Sequence, residues 1–350
     1  MNITMKEIAR LAGVSRPAVS TVLNNSTCTR VSAKTREKIL HLAQKHDFIP
    51  NRAAQQLKGV STHLISLLSA SSGVGFISVL QSELVKVLQK NGFNVLINDF
   101  SPDRKNFGSL LKELISRRVE GVIGVNLPDL SEHPEKKALP IVYFSSSNPD
   151  CSDLTTDRVA GGYMAGQHLL EHGRKKPVYI SLGDGVPNQE KYKGFKKALE
   201  AQGFHTSVES MLMIDYGSRT SEVVKQLKKT KADAIFCCND YVGAKMMNAL
   251  IKSGYRIPDD MALIGFDGYS FCEFTPVPMA TIIQPLRQQA DMAVELLLDR
   301  IVKNSRNSDF AKIKLEPELR PSASCGCPVM EADQLSGIDS ILLSDETYEF

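Results

Sequence analysis

Lys6-Glu-Ile-Ala-Arg-Leu-Ala-Gly-Val-Ser-Arg-Pro-Ala-Val-Ser-Thr-Val-Leu-Asn-Asn25, followed by Val31-Ser-Ala-Lys-Thr-Arg-Glu-Lys38, spells out two short amphipathic helices, a tight turn between them and the start of a third helix. Ile8, Leu11 and Ala12 recur at helical spacing and predict an apolar stripe, while Ala12-Gly-Val-Ser15 predicts the turn, with Gly13 free to take positive φ. Ser15 is placed to cap the second helix. Pro17 falls in the first turn of that helix, where a missing N–H costs nothing, and Val19, Val22 and Leu23 point inward. Arg16, Ala18 and Thr21 are left facing outward. The third helix is expected over 32–46. The pattern is a helix-turn-helix of the kind that reads DNA.

Charge is segregated in the same sense. Residues 1–60 hold ten Lys or Arg against three acids, a local net of +7; with +3 over the whole chain, the other 290 residues carry −4. A phosphate-binding module on a near-neutral second domain has this distribution, because counterion release from DNA scales with the cations at the contact face.

After the third helix, Pro50 pushes Ile49 into extended geometry, and Asn51 can cap a new helix whose good formers are Ala53, Ala54, Gln55, Gln56 and Leu57. Eight residues are too few to stay helical alone in water, so 51–58 is expected to order only against a symmetry mate and bent DNA.

Four runs carry a specific resemblance: Ile-Ala-Arg-Leu-Ala-Gly-Val-Ser at 8–15; Val19-Ser with Val22-Leu-Asn24; Val31-Ser with Thr35-Arg-Glu-Lys38; and Phe48-Ile-Pro-Asn-Arg-Ala-Ala-Gln-Gln-Leu-Lys58. In this order they resemble the lactose-repressor (LacI/GalR) family of bacterial transcription regulators, over about Thr4 to Arg320. The resemblance implies a recognition helix in the major groove and a hinge helix that inserts a leucine, here Leu57, into the minor groove. Carried over position by position, it implies DNA contacts from Thr4, Ser15, Arg16, Pro17, Ala18, Ser20, Thr21, Asn24, Arg30, Asn51, Ala54, Leu57 and Lys58. This chain departs from the commoner pattern where bases are read. Pro17 offers no donor and contributes only van der Waals contact. That leaves Arg16 as the best specific reader, by bidentate contact to guanine, with a phosphate clamp as the alternative.

The roughly 60-residue reader leaves a chain about twice the usual single-domain size, and 42% apolar residues can fill two cores. Beyond 59–62 the pattern alternates buried strands (63–70, 94–99, 121–125, 140–144, 177–182, 234–238, 261–265) with amphipathic helices (79–91, 106–117, 159–172, 190–202, 220–230, 241–253, 286–302), an α/β signature. The fold expected is an all-α helix-turn-helix headpiece (1–50), a hinge helix (51–60) and an α/β periplasmic-binding-protein-like effector domain (61–325) of two doubly wound lobes. In the family fold the chain crosses three times, giving lobe one as 61–156 and 286–310 and lobe two as 157–285 and 311–325. Residues 326–350 form an acidic tail: from 327 on there are six acids and no Lys or Arg, a composition expected to be disordered.

In such sheets a ligand binds beyond the carboxyl ends of the strands, in the cleft between lobes. Cys238-Asn239-Asp240, Gly265-Phe-Asp267-Gly and Thr281-Ile-Ile-Gln284 end strands, and Lys191 begins a helix; all four match effector-site motifs of the family. The effector-binding set is Phe76, Ser145, Lys191, Tyr216, Asn239, Asp267 and Gln284. Asp267 and Asn239 can hold vicinal hydroxyls, and Asp240 is expected to cap its helix. Lys191 replaces the arginine of most relatives, and Ser145 stands where sugar-binding members often have aspartate. A sugar leads as effector, with a nucleobase or a protein partner as alternatives; whether it releases or tightens DNA is open.

No Walker motif, GxGxxG or GxSxG occurs, which argues against an enzyme. A solute-binding protein is the rival for 61–325 alone. No signal peptide or run of 18 apolar residues occurs, so a cytoplasmic protein with no membrane partner is expected. The seven cysteines read as reduced thiols. Cys325-Gly-Cys327 hints at a metal or redox site, but two ligands cannot close a zinc shell, and no cofactor or metal is expected. A homodimer on a pseudo-palindromic operator is expected, since one reader covers only a half-site.

Overall fold

Thr4 starts the first helix by a reciprocal cap: its hydroxyl accepts from the Glu7 N–H at 3.3 Å, while its own N–H donates to Glu7 Oε2 at 2.7 Å. The computed structural model describes residues 3–23, 31–48, 61–70, 75–100, 107–128, 130, 132–144, 151–204, 210–214, 219–303 and 310–329. They fall into two compact units that divide after Thr62.

The first unit holds α1 (Met5–Ala12), α2 (Arg16–Leu23) and α3 (Ala33–Lys45). Gly13 ends α1 at φ 72°, as the turn requires, and Lys38 reaches across from α3 to donate to the Ala12 carbonyl at 3.1 Å. Ile8, Ala9, Ala12, Val19, Val22 and Ile39 close a core of their own. The predicted stripe is corrected at one position: Leu11 is 44% exposed, and Ala9 faces inward instead. The hinge helix expected over 51–60 lies outside the described residues, as do 330–350 of the tail.

In the second unit, lobe one is built on β1 (Leu64–Ala70), β2 (Asn94–Phe100), β3 (Gly121–Val125), β4 (Ile141–Phe144), β5 (Leu154–Thr156) and β11 (Ile313–Leu315), with α4 (Phe76–Lys90), α5 (Phe107–Ser116) and α10 (Leu286–Val302). Its sheet runs β11-β5-β4-β3-β1-β2, parallel throughout. Alternate residues serve opposite faces. Ile123, Val125, Val142 and Phe144 pack under α4 and α10, while Val122, Ile141 and Tyr143 pack on the α5 side.

Lobe two holds β6 (Pro177–Leu182), β7 (Met211–Ile214), β8 (Ala234–Cys237), β9 (Ala262–Asp267), β10 (Ala280–Ile283) and β12 (Glu318–Arg320), with α6 (Arg158–Glu171), α7 (Val186–Ala201), α8 (Thr220–Thr230) and α9 (Asp240–Lys252). The order is β12-β10-β9-β8-β6-β7, parallel except for the β10–β12 pair. The chain crosses between lobes three times: after Thr156, after Gln284, and between β11 and β12. The third crossing comes later than the expected boundary at 310, because Ile313–Leu315 pairs with Leu154–Thr156 in the first sheet.

Two helices of lobe two meet with almost no side chain between them. A Cβ on Gly162 of α6 would lie 2.0 Å from the Lys191 carbonyl oxygen, and one on Gly194 of α7 would lie 1.9 Å from that of Val159. This contact brings the N-terminal end of α6 against Lys191.

Candidate functional site

The carboxyl ends of both sheets enclose a cavity of about 170 Å³ lined by Phe76, Asn126, Arg158, Pro187, Asn188, Lys191, Cys238, Asn239, Asp267 and Gln284. All the lining residues but Lys191 are delivered at or near an element end. Phe76 is the first residue of α4, Asn126 follows β3, Arg158 opens α6, Asn239 caps α9, Asp267 closes β9 and Gln284 follows β10. That is where a doubly wound sheet offers backbone and side chains to a ligand.

Asp267 is buried and held at φ 117°, a strained value for a non-glycine residue. Gln284 Nε2 donates to its Oδ1 at 2.8 Å. Burial pushes the Asp267 carboxyl up to about 6, against the opposing pull of Lys191 and Gln284. Lys191 is itself buried: its ammonium donates to the Cys238 carbonyl at 2.6 Å and sits 3.9 Å from the centre of the Phe266 ring. Burial lowers its pKa, with Asp267 acting the other way.

Asp240 does not cap its helix. Asn239 does, accepting the Val242 N–H at 2.8 Å, and Asp240 is the first residue inside. Fully buried, Asp240 instead accepts from the N–H groups of Gly268 and Tyr269, at 2.8 and 2.9 Å, and from the Thr281 hydroxyl at 2.6 Å. It is the strut under the loop that aims Asp267.

Five of the seven expected effector residues thus converge: Phe76, Lys191, Asn239, Asp267 and Gln284. Ser145 and Tyr216 lie outside the described residues. Lys191 sits inside α7 rather than at its start, because that helix begins at Val186, with Pro187 in the first turn. Sequence reasoning missed Asn126, Arg158, Pro187 and Asn188, and named Cys238 only as part of the Cys238-Asn239-Asp240 run. Arg158 matters most, since it returns a guanidinium to a cleft whose α7 position carries lysine; Glu190 holds it at 2.8 Å. The strand-end rule that selected Asn239 could have found Asn126, the residue after β3.

In the first unit, Ser15, Arg16 and Pro17 are exposed and Ala18, Ser20 and Thr21 half-buried. The Ser15 hydroxyl accepts from the Ala18 N–H at 3.4 Å, as a cap should. Thr4 is exposed, with its hydroxyl donating to Glu7 at 2.8 Å. Asn24, Arg30, Asn51, Ala54, Leu57 and Lys58 lie outside the described residues.

Residues 4–51 match the model of bacterial regulatory proteins of the lacI family, and 167–325 that of the periplasmic binding protein-like domain. The chain is 30% identical over 326 residues to the ribose operon repressor of Haemophilus influenzae, covering 90% of this chain and 96% of that one. It belongs to the lacI family. A second relative of the family, the HTH-type transcriptional repressor PurR of Mannheimia succiniciproducens, is 27% identical, with 90% of this chain and 96% of the relative covered. The lac repressor dimer bound to operator and the anti-inducer ONPF superposes with a TM-score of 0.81 at 22% identity, over 93% of this chain and 99% of that one; this likeness bears on the fold. This lacI-family chain is a transcriptional repressor with a helix-turn-helix DNA-binding domain and a two-lobed α/β domain. No helix among the described residues is long and apolar enough to cross a membrane.

Proposed function

We propose that the protein is a homodimeric repressor whose affinity for a pseudo-palindromic operator is set by a monosaccharide-sized polyol in the interlobe cleft. The observation that carries the reading is the convergence of Asp267, Gln284, Asn239, Asn126, Lys191 and Arg158 on one cavity at the carboxyl ends of two sheets. Carboxylate, amides and guanidinium alternate acceptors with donors, as vicinal hydroxyls require, and Phe76 supplies an apolar face. The two cations are offset by Asp267 and Glu190, which suits a neutral polyol better than a phosphate ester. At about 170 Å³ the cavity is small beside the roughly 300 Å³ at the low end of drug-sized sites, which favours one sugar ring over two.

On the DNA side, the outward face of α2 around Arg16, Pro17 and Thr21 enters the major groove, and a second copy supplies the other half-site. Thr4, Ser15, Ala18, Ser20, Asn24 and Arg30 support that contact. Leu57 wedges the minor groove, flanked by Asn51, Ala54 and Lys58. Ser145 and Tyr216 complete the effector set.

The test is a thermal-shift screen of pentoses, hexoses, disaccharides, uronates and nucleobases, paired with operator gel retardation. A monosaccharide is expected to stabilise the protein and change its operator affinity, and Asp267→Ala to lose both responses while binding operator normally without ligand. Stabilisation by a nucleobase alone, or by no small molecule, overturns the sugar reading.

A further inference from the structure

His168 lies in the last turn of α6 and His172, one turn on, is the residue that caps its C-terminal end, while Cys325-Gly-Cys327 follows β12; the fold brings all four side chains to one place on lobe two. His168 Nε2 lies 3.2 Å from Cys325 Sγ and 3.6 Å from Cys327 Sγ, and His172 Nε2 lies 3.3 Å from Cys327 Sγ. The ligand atoms of His168, Cys325 and Cys327 all fall within 4.8 Å of one another. The two imidazoles are 4.5 Å apart, centre to centre. None of these residues lines the effector cavity.

We infer that these four residues form a zinc(II) site. With Zn–S near 2.3 Å and Zn–N near 2.0–2.1 Å, a tetrahedral centre places sulfur and nitrogen ligands about 3.6 Å apart, the separation already present between the two elements. An S₂N₂ donor set selects zinc among the common divalent ions, whereas calcium and magnesium require oxygen. The sequence pattern showed only two ligands, too few for zinc; H-x₃-H on the helix supplies the other two. Cys325 is buried; its thiol donates to the Ser322 carbonyl at 3.0 Å, a bond given up when the thiol loses its proton to bind metal, while the Ser322 N–H, 3.5 Å from the sulfur, can donate to the thiolate. His172 is exposed and half-buried Cys327 lies beside it, so the site opens to solvent for metal entry. Bound zinc would clasp the segment after β12 to the C-terminal end of α6, fastening the last described residues of the chain to lobe two.

The experiment uses the full chain purified under reductant, stripped with a chelator, then titrated with Zn²⁺ against a chromophoric competitor and separately with Co²⁺. One zinc per chain is expected, with a rise in melting temperature. The cobalt form should show the strong visible bands of a tetrahedral ion and a near-ultraviolet thiolate charge-transfer band. Cys327→Ser and His172→Ala should each weaken zinc binding at least about a hundredfold, beyond the 10–100-fold typical of losing an outer-shell partner. Both variants should match the stripped parent in melting temperature and operator binding. Zinc binding that is substoichiometric or unchanged in both variants, cobalt spectra without charge transfer, or a Cys325–Cys327 disulfide in protein that ignores zinc would each overturn the site.

Discussion

Gln284 donates from Nε2 to Asp267 at 2.8 Å while its Oε1 accepts from the Thr156 hydroxyl at 2.6 Å, and Gln289 donates to that same hydroxyl at 3.0 Å. Thr156 is the last residue of β5, where the chain first leaves lobe one; Gln284 stands where it returns. One amide therefore joins two crossovers to the carboxylate of the effector cleft. On the proposed reading, a ligand hydroxyl that engages Asp267 would compete for this link and so act on the crossovers between lobes. Gln284→Leu should cost about 1–3 kcal/mol for each buried partner left unsatisfied, and should uncouple ligand binding from operator affinity. Urea unfolding measures the first effect; gel retardation with ligand measures the second.

The raised carboxyl of Asp267 gives the effector a pH signature. A hydroxyl donor is accepted by the ionised form, which dominates above about pH 6. Below that value affinity should fall about tenfold per pH unit as the proton competes with the ligand. Asp267→Asn should bind weakly at every pH with a flat profile. An affinity constant from pH 7.5 to pH 5 in the parent protein would exclude Asp267 as the acceptor.

The parts of this molecule legible in its sequence are those where periodicity and local chemistry agree. The turn at Gly13, the α2 core residues Val19 and Val22, and the helices over 220–230 and 286–302 are set by neighbours in sequence, and the structure places them as read. Leu11 was misread because hydrophobicity alone cannot choose between Ala9 and Leu11 for the inner face of an eight-residue helix. Leu154–Thr156 and Ile313–Leu315 are too short for alternation to register, Met211–Ile214 is a half-exposed edge strand without the buried run of its neighbours, and the pairing of all three is decided by strands far away in the chain. In the cleft, motif and strand-end reasoning found Asn239, Asp267 and Gln284. Arg158 is hidden because the strand it follows, Leu154–Thr156, is too short to be read from the sequence, so the strand-end rule has no strand end to apply there.

Asp153 and Arg300 are the ionic counterpart of that link in lobe one. The guanidinium meets both carboxylate oxygens, at 2.7 and 2.6 Å, and also donates to the Ile141 carbonyl; Asp153 further accepts the N–H groups of Tyr143 and Ala311 at 2.9 Å. Both side chains are buried. Arg300→Met leaves an unpaired buried carboxylate and should cost about 3–5 kcal/mol. Arg300→Lys should recover only part of that, because an ammonium cannot span two oxygens. Chemical denaturation of the two variants side by side tests the order.

The α6–α7 contact leaves no room for a methyl group. Gly162→Ala and Gly194→Ala each drive Cβ into a backbone carbonyl that cannot rotate away, so the helices must separate, at a cost of about 1–3 kcal/mol or more. Separation also withdraws Arg158 from Lys191, so affinity for the cleft ligand should fall in the folded variants. Gly173→Ala, where nothing lies within 4 Å, should leave the cleft unchanged despite strain at its φ of 76°. Thermal unfolding and ligand titration of the three distinguish helix contact from a generic glycine effect.

On the proposed reading, Arg16 is the residue of the helix-turn-helix that reads a base. It is exposed at the start of α2 between Ser15, whose hydroxyl caps the helix, and Pro17, whose ring has no donor, so the guanidinium is the group at this end best able to fork onto a base. Operator affinity should fall log-linearly with salt, with a slope of about 0.9 per phosphate neutralised, as the net charge of +7 in residues 1–60 requires. If Arg16 forks onto guanine O6 and N7, Arg16→Ala should relax preference at one symmetric base pair by about 1–3 kcal/mol and leave the salt slope nearly intact. If it clamps a phosphate, the same substitution should weaken all sequences alike and lower the slope by about one per contact. Selection of binding sites from a random library, run with both proteins at two salt concentrations, separates the outcomes; uniform weakening with a reduced slope would refute base reading by Arg16.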